Sequence, residues 1–279
     1  MRALWLVGLG VVSPGCLPSD GCLGSVDRCA ATLLDVTLAG AHNAFNAGDS
    51  GFLLPNQDTG LAAQLEGGVR AFLIDTTQVQ GEVVVCHGPC ALGQQPLEDV
   101  ASVFAAFREA HPAEPLLWIV QDGAAAEATL AALDAGGLGD ALWPWDHGAG
   151  WPTFGAMARR GQTLMLTVET DAPGPATWTS FYERGFDTAY DFGSAAEMDC
   201  EPLRGAPGEG AFLLNHWLST PLPTREGAAQ VNTAEALSAR VAACEADKGW
   251  RPNVIAVDFW DVGDVVGVAA ALTDARWGR

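Results

Sequence analysis

The 279-residue chain is 49% hydrophobic and 17% charged, a balance that suits a folded domain with a large buried core and excludes a disordered chain. Its net charge of −20 excludes the cationic surface that nucleic-acid binding needs, and it disfavours electrostatic docking on anionic lipid. The length suits one α/β barrel domain, which needs about 250 residues, and we expect a monomer.

The chain begins with the pattern of an export signal. Arg2 is followed by the apolar run 3–12, which is too short to span a bilayer. Gly15-Cys16 resembles a lipobox, the motif whose cysteine is acylated in bacterial lipoproteins, although Ser13-Pro14 fits that motif poorly. Both lipidation of Cys16, with membrane association through the lipid anchor, and simple cleavage therefore stay open.

These features predict three parts of the chain. Residues 1–16 form the signal peptide, 17–30 a short N-terminal segment, and 31–279 a single barrel domain. The protein is expected to be exported, either as an extracellular protein or as a periplasmic or outer-membrane lipoprotein.

Six cysteines besides Cys16 are consistent with an oxidising compartment, because an even number can pair completely. The local pairs Cys22–Cys29 and Cys86–Cys90 are the simplest closures. They leave Cys200–Cys244 as the third predicted disulfide.

Strand and helix patterns alternate along the chain. Leu34, Val36 and Leu38 alternate with polar residues, which predicts a first strand leading to Gly40. The later predicted strands are 71–74, 82–85, 116–120, 164–168, 212–214 and 254–257. The predicted helices are 100–110, 124–135, 237–248 and a last helix capped by Asp264. Segments 142–152 and 186–210 are predicted to be long loops. This alternation indicates a parallel sheet, open or closed into a barrel.

Most predicted strands end in polar side chains. They are His42-Asn43, Asp75, His87, Gln121-Asp122, Glu169, Asn215-His216 and Asp258. Active sites of α/β barrels gather at the C-terminal ends of the strands, so these residues are the candidates for a site. Helix caps and turns account for part of the set.

Three stretches in a fixed order resemble the X-domain of phosphatidylinositol-specific phospholipases C. They are AGAHN at 39–43, GVRAFLID at 68–75 with CHG at 86–88, and the predicted helix that runs into HPAEP at 111–115. Segments 212–216 and 251–259 are similar to exported bacterial and fungal members. The resemblance implies an exported bacterial-type phosphodiesterase with a distorted (β/α)8 TIM-type barrel.

The resemblance also implies roles for two histidines. His42 is expected to be the general base and His87 the general acid, because an imidazole, with an unperturbed pKa near 6.5, can hold or release a proton near neutrality. Asp258 ends the last predicted strand, which neighbours the first in a closed barrel. It is therefore expected to orient one of the histidines.

Other residues are expected to bind substrate or metal. Arg70 and His216 are candidates for substrate contact, although strand-start packing explains Arg70 as well and packing explains His216 equally. Asn43, Asp75 and Asp122 are candidate ligands for Ca²⁺ or Mg²⁺. However, Leu73 and Gln121 stand where calcium-dependent relatives carry acidic residues.

Three functions remain open. The first is cleavage of a phosphatidylinositol-type lipid or a soluble polyol phosphodiester. The second is a glycerophosphodiesterase or sphingomyelinase D-like activity. The third is a catalytically degenerate surface lipoprotein that binds a polyol or a glycan.

Overall fold

The computed structural model describes residues 21–146, 148–171, 173–208, 210–219 and 222–277. The predicted leader and Cys16 lie outside these ranges. Within them, no helix is long and apolar enough to cross a membrane.

Strands and helices alternate along the described chain. The strands are β1 (Leu38–Ala41), β2 (Ala71–Val79), β3 (Glu82–Val85), β4 (Gln95–Pro96), β5 (Leu116–Gly123), β6 (Leu164–Val168), β7 (Gly185–Thr188), β8 (Pro202–Gly205), β9 (Ala211–Asn215) and β10 (Val254–Val257). The α-helices are α1 (Leu61–Glu66), α2 (Leu97–Ala110), α3 (Ala126–Ala135), α4 (Phe154–Arg160), α5 (Arg225–Val231), α6 (Ala234–Lys248) and α7 (Val265–Trp277).

Seven of the strands form a parallel sheet in the order β6-β5-β2-β1-β10-β9-β7. The hairpin of β2 and β3 continues into β4, and β8 runs antiparallel to β7. β1 and β10 are neighbours, as predicted for the first and last strands. No ladder joins β6 to β7 in the described ranges, so the fold is a mixed α/β fold whose predicted closure into a barrel is not seen.

Two predicted segments differ in kind from the structure, and the predicted strand 71–74 is longer, since β2 runs on to Val79. Residues Leu33–Asp35 form a 3₁₀ helix rather than the first part of a strand, because Thr32 and Asp35 cap it reciprocally. The predicted loop 186–210 contains most of β7 and all of β8. Three of the four residues of β8 are exposed and the fourth is half-buried, so this strand lacks the apolar alternation that identifies strands in a sequence.

The core lies on both faces of the sheet. Every residue of β6 and β10 is buried, which explains why these strands read as continuous apolar runs. Between the sheet and α2, Phe104 packs edge-on against Phe72 and Trp118, with ring centroids 4.7 Å apart in each pair. This packing joins α2 to β2 and β5.

All three predicted disulfides are present. Cys22–Cys29, Cys86–Cys90 and Cys200–Cys244 have Cα–Cα distances of 5.0, 5.2 and 5.4 Å. The second encloses the turn that carries His87. The third ties the segment before β8 to α6.

Candidate active site

A cavity of about 360 Å³ opens at the C-terminal ends of the parallel strands. Its lining includes His42, Asp75, His87, Glu169, Trp217 and Asp258. His42, His87, Glu169, Trp217 and Asp258 lie just after the ends of strands, whereas Asp75 lies within β2, which runs on to Val79. The edge where the sequence predicted a site is therefore a real cleft.

His42 follows β1 and is held on three sides. Its backbone N–H donates to the Val257 carbonyl at 2.9 Å, which places the ring beside the residue that follows β10. His42 Nδ1 lies 2.9 Å from the Asp258 Oδ1 atom, and the Asp258 side chain is 4% exposed. The Trp217 ring stacks on the imidazole at 3.8 Å between centroids. With Nδ1 engaged by a carboxylate, Nε2 is the ring nitrogen left for proton exchange.

His87 follows β3 inside the five-residue loop closed by Cys86–Cys90. The antiparallel register pairs Thr76 with Val85, so the loop lies beside Asp75. His87 Nδ1 is 3.0 Å from Asp75 Oδ2. This hydrogen bond and the charge of Asp75 raise the pKa of His87 above 6.5, against the opposing effect of burial. His87 is therefore favoured in its protonated form, the form that a general acid requires.

The two imidazoles face one cavity. Their ring centroids are 6.3 Å apart and their planes are inclined at 78°. The buried Asn43 amide lies between them, 3.1 Å from His42 Nε2 and 3.1 Å from His87 Nδ1. Asn43 has a φ of 45°, a left-handed conformation that asparagine tolerates better than most residues. The rings differ in environment, because each pairs with a different carboxylate.

The structure places Asp122 outside the cleft. Side chains alternate along β5, so Ile119 and Gln121 line the cavity whereas Asp122 points to the other face. There its carboxylate accepts a hydrogen bond from the Thr170 backbone N–H at 3.1 Å. Asp122, predicted as a metal ligand, therefore lies one residue along the strand from Gln121, which lines the cavity.

Arg70 also lies away from the cleft. It stands just before β2, at the N-terminal end of the strand, and its Nε is 2.7 Å from Glu114 Oε2. The same guanidinium donates to the Leu65 carbonyl at 2.6 Å and lies over the Phe107 ring. Arg70 therefore links β2 to neighbouring segments and does not reach the cleft.

His216 is buried behind the cleft rather than in it. Its Nε2 is 2.8 Å from the Val231 carbonyl, and its Nδ1 is 3.2 Å from an Arg240 guanidinium nitrogen. Burial, helped by the charge of Arg240, lowers the pKa of His216 to about 4, so the ring is neutral near pH 7. The next residue, Trp217, is the one that lines the cavity.

The predicted metal ligands fit a metal poorly. Only Asn43 and Asp75 lie together, and the Asn43 amide gives Asp75 a donor at 3.1 Å when its nitrogen faces the carboxylate. Leu73 contributes no oxygen to the lining. Among the described residues, no group of three histidine, cysteine, aspartate or glutamate side chains could hold a metal ion. Calcium prefers six to eight oxygens, so these residues do not build a dedicated calcium site.

The sequence did not predict that Arg204 and Glu169 form a charged wall of the cleft, backed by Asp187. Arg204 on β8 lines the cavity with Glu169, its Nη1 lying 2.9 Å from Glu169 Oε2. Its Nη2 lies 2.5 Å from the fully buried carboxylate of Asp187. Burial opposes the charge of Arg204, but hydrogen bonding to Asp187 and the charge of Glu169 outweigh it and raise the pKa of Arg204. A buried aspartate such as Asp187 needs a cationic partner, and this need was the signal that could have pointed to Arg204.

Asn56 was missed as well, because it lies in a loop with no strand or helix pattern. It lines the cavity and is 2% exposed. Trp217 was missed because the candidate substrate contact was assigned to its neighbour, His216. The structure thus adds Asn56, Arg204 and Trp217 to the predicted His42, His87, Asp75 and Asp258.

The fold and this site define a mixed α/β protein similar to phosphatidylinositol-specific phospholipase C. The family model described as PI-PLC X 1 matches residues 28–273, and the chain belongs to that family. A solved structure of phosphatidylinositol-specific phospholipase C from Listeria monocytogenes superposes with a TM-score of 0.59 at 15% identity, covering 85% of this chain and 93% of that one. At this identity the likeness concerns the fold.

The curated relatives are fungal and plant proteins. A PI-PLC X domain-containing protein 1 from Arthroderma benhamiae is 26% identical over 94% of both chains. A PI-PLC X domain-containing protein from Arabidopsis thaliana is 27% identical over 83% of this chain, which spans 59% of that protein. Another A. benhamiae relative, 23% identical over 92% of this chain, is described as a secreted protein. The expected restriction to a bacterial type has no support in these relatives.

Proposed function

We propose that this protein is an exported phosphodiesterase that cleaves a phosphatidylinositol-type lipid or a related polyol phosphodiester. One observation carries the proposal: two imidazoles line one cavity, and each pairs through Nδ1 with its own carboxylate, Asp258 or Asp75. Membership of the PI-PLC X family supports the same chemistry. We take the fold to be a distorted barrel left open between β6 and β7.

In the proposed reaction His42 acts as the general base. Its Nε2 removes the proton from a substrate hydroxyl, whose oxygen attacks phosphorus and forms a cyclic phosphate. The bond from phosphorus to the leaving oxygen breaks, and protonated His87 transfers its proton to that oxygen. The proton gained by His42 and the proton lost by His87 balance, so a later exchange with water restores both rings.

The two carboxylates have distinct tasks in this scheme. Asp258 fixes the orientation of His42 and stabilises the imidazolium that forms on proton transfer. Asp75 favours the protonated form of His87 before the reaction, because its hydrogen bond and charge raise the pKa of that ring. The scheme uses no metal ion, because the described side chains do not build a site for one.

Export is part of the proposal. Three disulfides form in the described part of the chain, and one relative is described as secreted. Disulfides of this kind persist in oxidising compartments. Lipidation at Cys16 remains a separate prediction.

The test is an assay of the purified, disulfide-intact protein on four phosphodiesters, each with calcium and with EDTA. Phosphatidylinositol, glycerophosphoinositol, sphingomyelin and glycerophosphocholine would be incubated and the products followed by ³¹P NMR. Cyclic inositol phosphate in both conditions is the expected product. Activity that appears only with calcium would overturn the metal-free scheme.

Matched variants assign the histidines. His42→Ala and His87→Ala should each lose about 10²- to 10⁴-fold in rate, the usual contribution of a general acid or base. His111→Ala is the control, because His111 lies on the surface near Glu66 rather than in the cleft.

Choline release in the substrate assay would favour the rival phosphodiesterase activities. No product from any of the four substrates, with ligand binding unchanged by His42→Ala, would favour a catalytically degenerate binding protein.

A further inference from the structure

Asp258 is held at only one of its two carboxylate oxygens. Its Oδ1 lies 2.9 Å from His42 Nδ1 and also accepts a hydrogen bond from Asn56 Nδ2 at 3.0 Å. Its buried Oδ2 has no hydrogen-bond partner within the part of the chain that the structure describes. The orientation of this carboxylate therefore depends on one histidine and one asparagine.

Asn56 is itself fixed by the loop around it. Its Oδ1 accepts a hydrogen bond from Asn46 Nδ2 at 2.6 Å, which leaves Nδ2 as the atom that faces Asp258. Its backbone N–H donates to the Asn46 carbonyl at 3.0 Å, and its carbonyl accepts from the Phe259 N–H at 2.7 Å. The loop after β1 is thus joined to the residues that follow β10.

We propose that Asn56 is a positioning residue for the His42–Asp258 pair, holding the carboxylate in the orientation in which it meets the imidazole ring. The inference deepens the proposed function and rests on it for its kinetic part. Its structural part concerns the hydrogen bond between His42 and Asp258 alone and stands without turnover.

The physical reason is that one carboxylate oxygen of Asp258 carries both contacts. When Asn56 is absent, His42 alone fixes the carboxylate, because Oδ2 has no partner among the described residues. The carboxylate should then be free to rotate away from the productive orientation.

The experiment compares Asn56→Ala with Asn232→Ala. Asn232 is equally buried, and its Nδ2 donates to the same residue at 2.8 Å, but to the main-chain carbonyl of Asp258 instead of its carboxylate. Asn56→Leu is a second variant that preserves side-chain size, in case the alanine variant does not fold. The readouts are the downfield ¹H resonance of the His42 Nδ1–H that contacts Asp258, identified by its loss in His42→Ala, and the values of kcat and KM.

In both Asn56 variants the Nδ1–H resonance of His42 should broaden or disappear, and kcat should fall about tenfold with little change in KM. In Asn232→Ala the resonance should stay at its wild-type position. An unchanged resonance in the Asn56 variants, or loss of folding in both of them, would overturn the proposal. If the wild type turns over no phosphodiester, the function fails, and the resonance alone decides the role of Asn56.

Discussion

Trp217 lies face to face with His42, with ring centroids 3.8 Å apart and planes inclined by only 6°. Asp258 holds the same imidazole at its edge. A ring fixed at both its face and its edge has little rotational freedom. This restriction keeps Nε2 in place for proton transfer, so the tryptophan should affect rate as well as stability.

Replacement of Trp217 by phenylalanine should keep a ring against His42, and replacement by alanine should remove it. We expect Trp217→Ala to cost about 3–5 kcal/mol in the free energy of unfolding, as for other buried aromatic truncations, and to lower kcat/KM further than Trp217→Phe does. Trp145→Phe is the control, since that buried ring donates to the Leu166 carbonyl away from the cleft. Equal kcat/KM in Trp217→Ala and wild type would contradict the prediction.

Asp75→Asn should move the basic limb of the pH–rate profile. The pKa of His87 is raised chiefly by its hydrogen bond to Asp75, and burial acts in the opposite direction. Without the carboxylate, the pKa of His87 should fall, so the acid form should be lost at lower pH. We expect the basic limb of kcat/KM to shift downward and the rate at pH 7 to decrease.

Asp122→Asn is the matched control for this shift. The register pairs Asp122 with Thr76 on β2, one residue beyond Asp75, and its carboxylate faces away from the cleft toward Thr170. Its pH–rate profile should match that of the wild type. A basic limb that stays in place in Asp75→Asn would show that Asp75 does not govern the acid.

The Cys200–Cys244 disulfide should stabilise both the fold and the charged wall of the cleft. It closes a loop with a sequence separation of 44, for which the chain-entropy relation gives about 4 kcal/mol. Arg240 strengthens the same attachment by donating to the Asp199 carbonyl at 2.8 Å. Replacing both cysteines by serine should lower the unfolding free energy and also kcat/KM, because Arg204 lies four residues beyond Cys200.

The comparison variant replaces Cys22 and Cys29, which have a sequence separation of 7 and lie remote from the cleft. Its loss of stability should be smaller, about 2–3 kcal/mol by the same relation, with kcat/KM unchanged. Chemical denaturation and steady-state kinetics measure the two quantities. If both double variants lost kcat/KM equally, the link between the third disulfide and the cleft would be wrong.

His216 should make the fold sensitive to acid. Its pKa is about 4 in the folded chain and near 6.5 when unfolded, so the unfolded chain binds more protons between these values and stability falls as pH falls. This group should account for up to about 3 kcal/mol of lost stability between pH 6.5 and 4. His216→Gln should be less stable at pH 7 but less sensitive to acid.

Urea unfolding at pH 7, 5.5 and 4.5 measures this difference in slope. His111→Gln is the control, because the His111 side chain is 41% exposed. An unfolding free energy that falls equally steeply in wild type and His216→Gln would refute the assignment.

The local sequence pattern was sufficient to predict those features that neighbouring residues decide. The spans 164–168 and 254–257 coincide with β6 and β10, because strands buried on both faces are continuous apolar runs. Two disulfide pairs followed from short separations, and the third from the two cysteines that remained. His42 and Asp258 were placed together because the carboxyl ends of neighbouring parallel strands share one edge, and the family resemblance implied His87 as the second histidine.

What the sequence by itself determined is therefore where the buried strands lie and which polar side chains stand near their ends, whereas β4, β7 and β8 were not predicted. Only the tertiary structure decided between adjacent residues, such as Gln121 and Asp122 or His216 and Trp217, because one step along an extended strand reverses the side of the sheet. It also brought in Asn56 and Arg204, whose partners lie 202 and 35 positions away along the chain. Contacts over such separations arise from folding and leave no periodic trace in the order of amino acids.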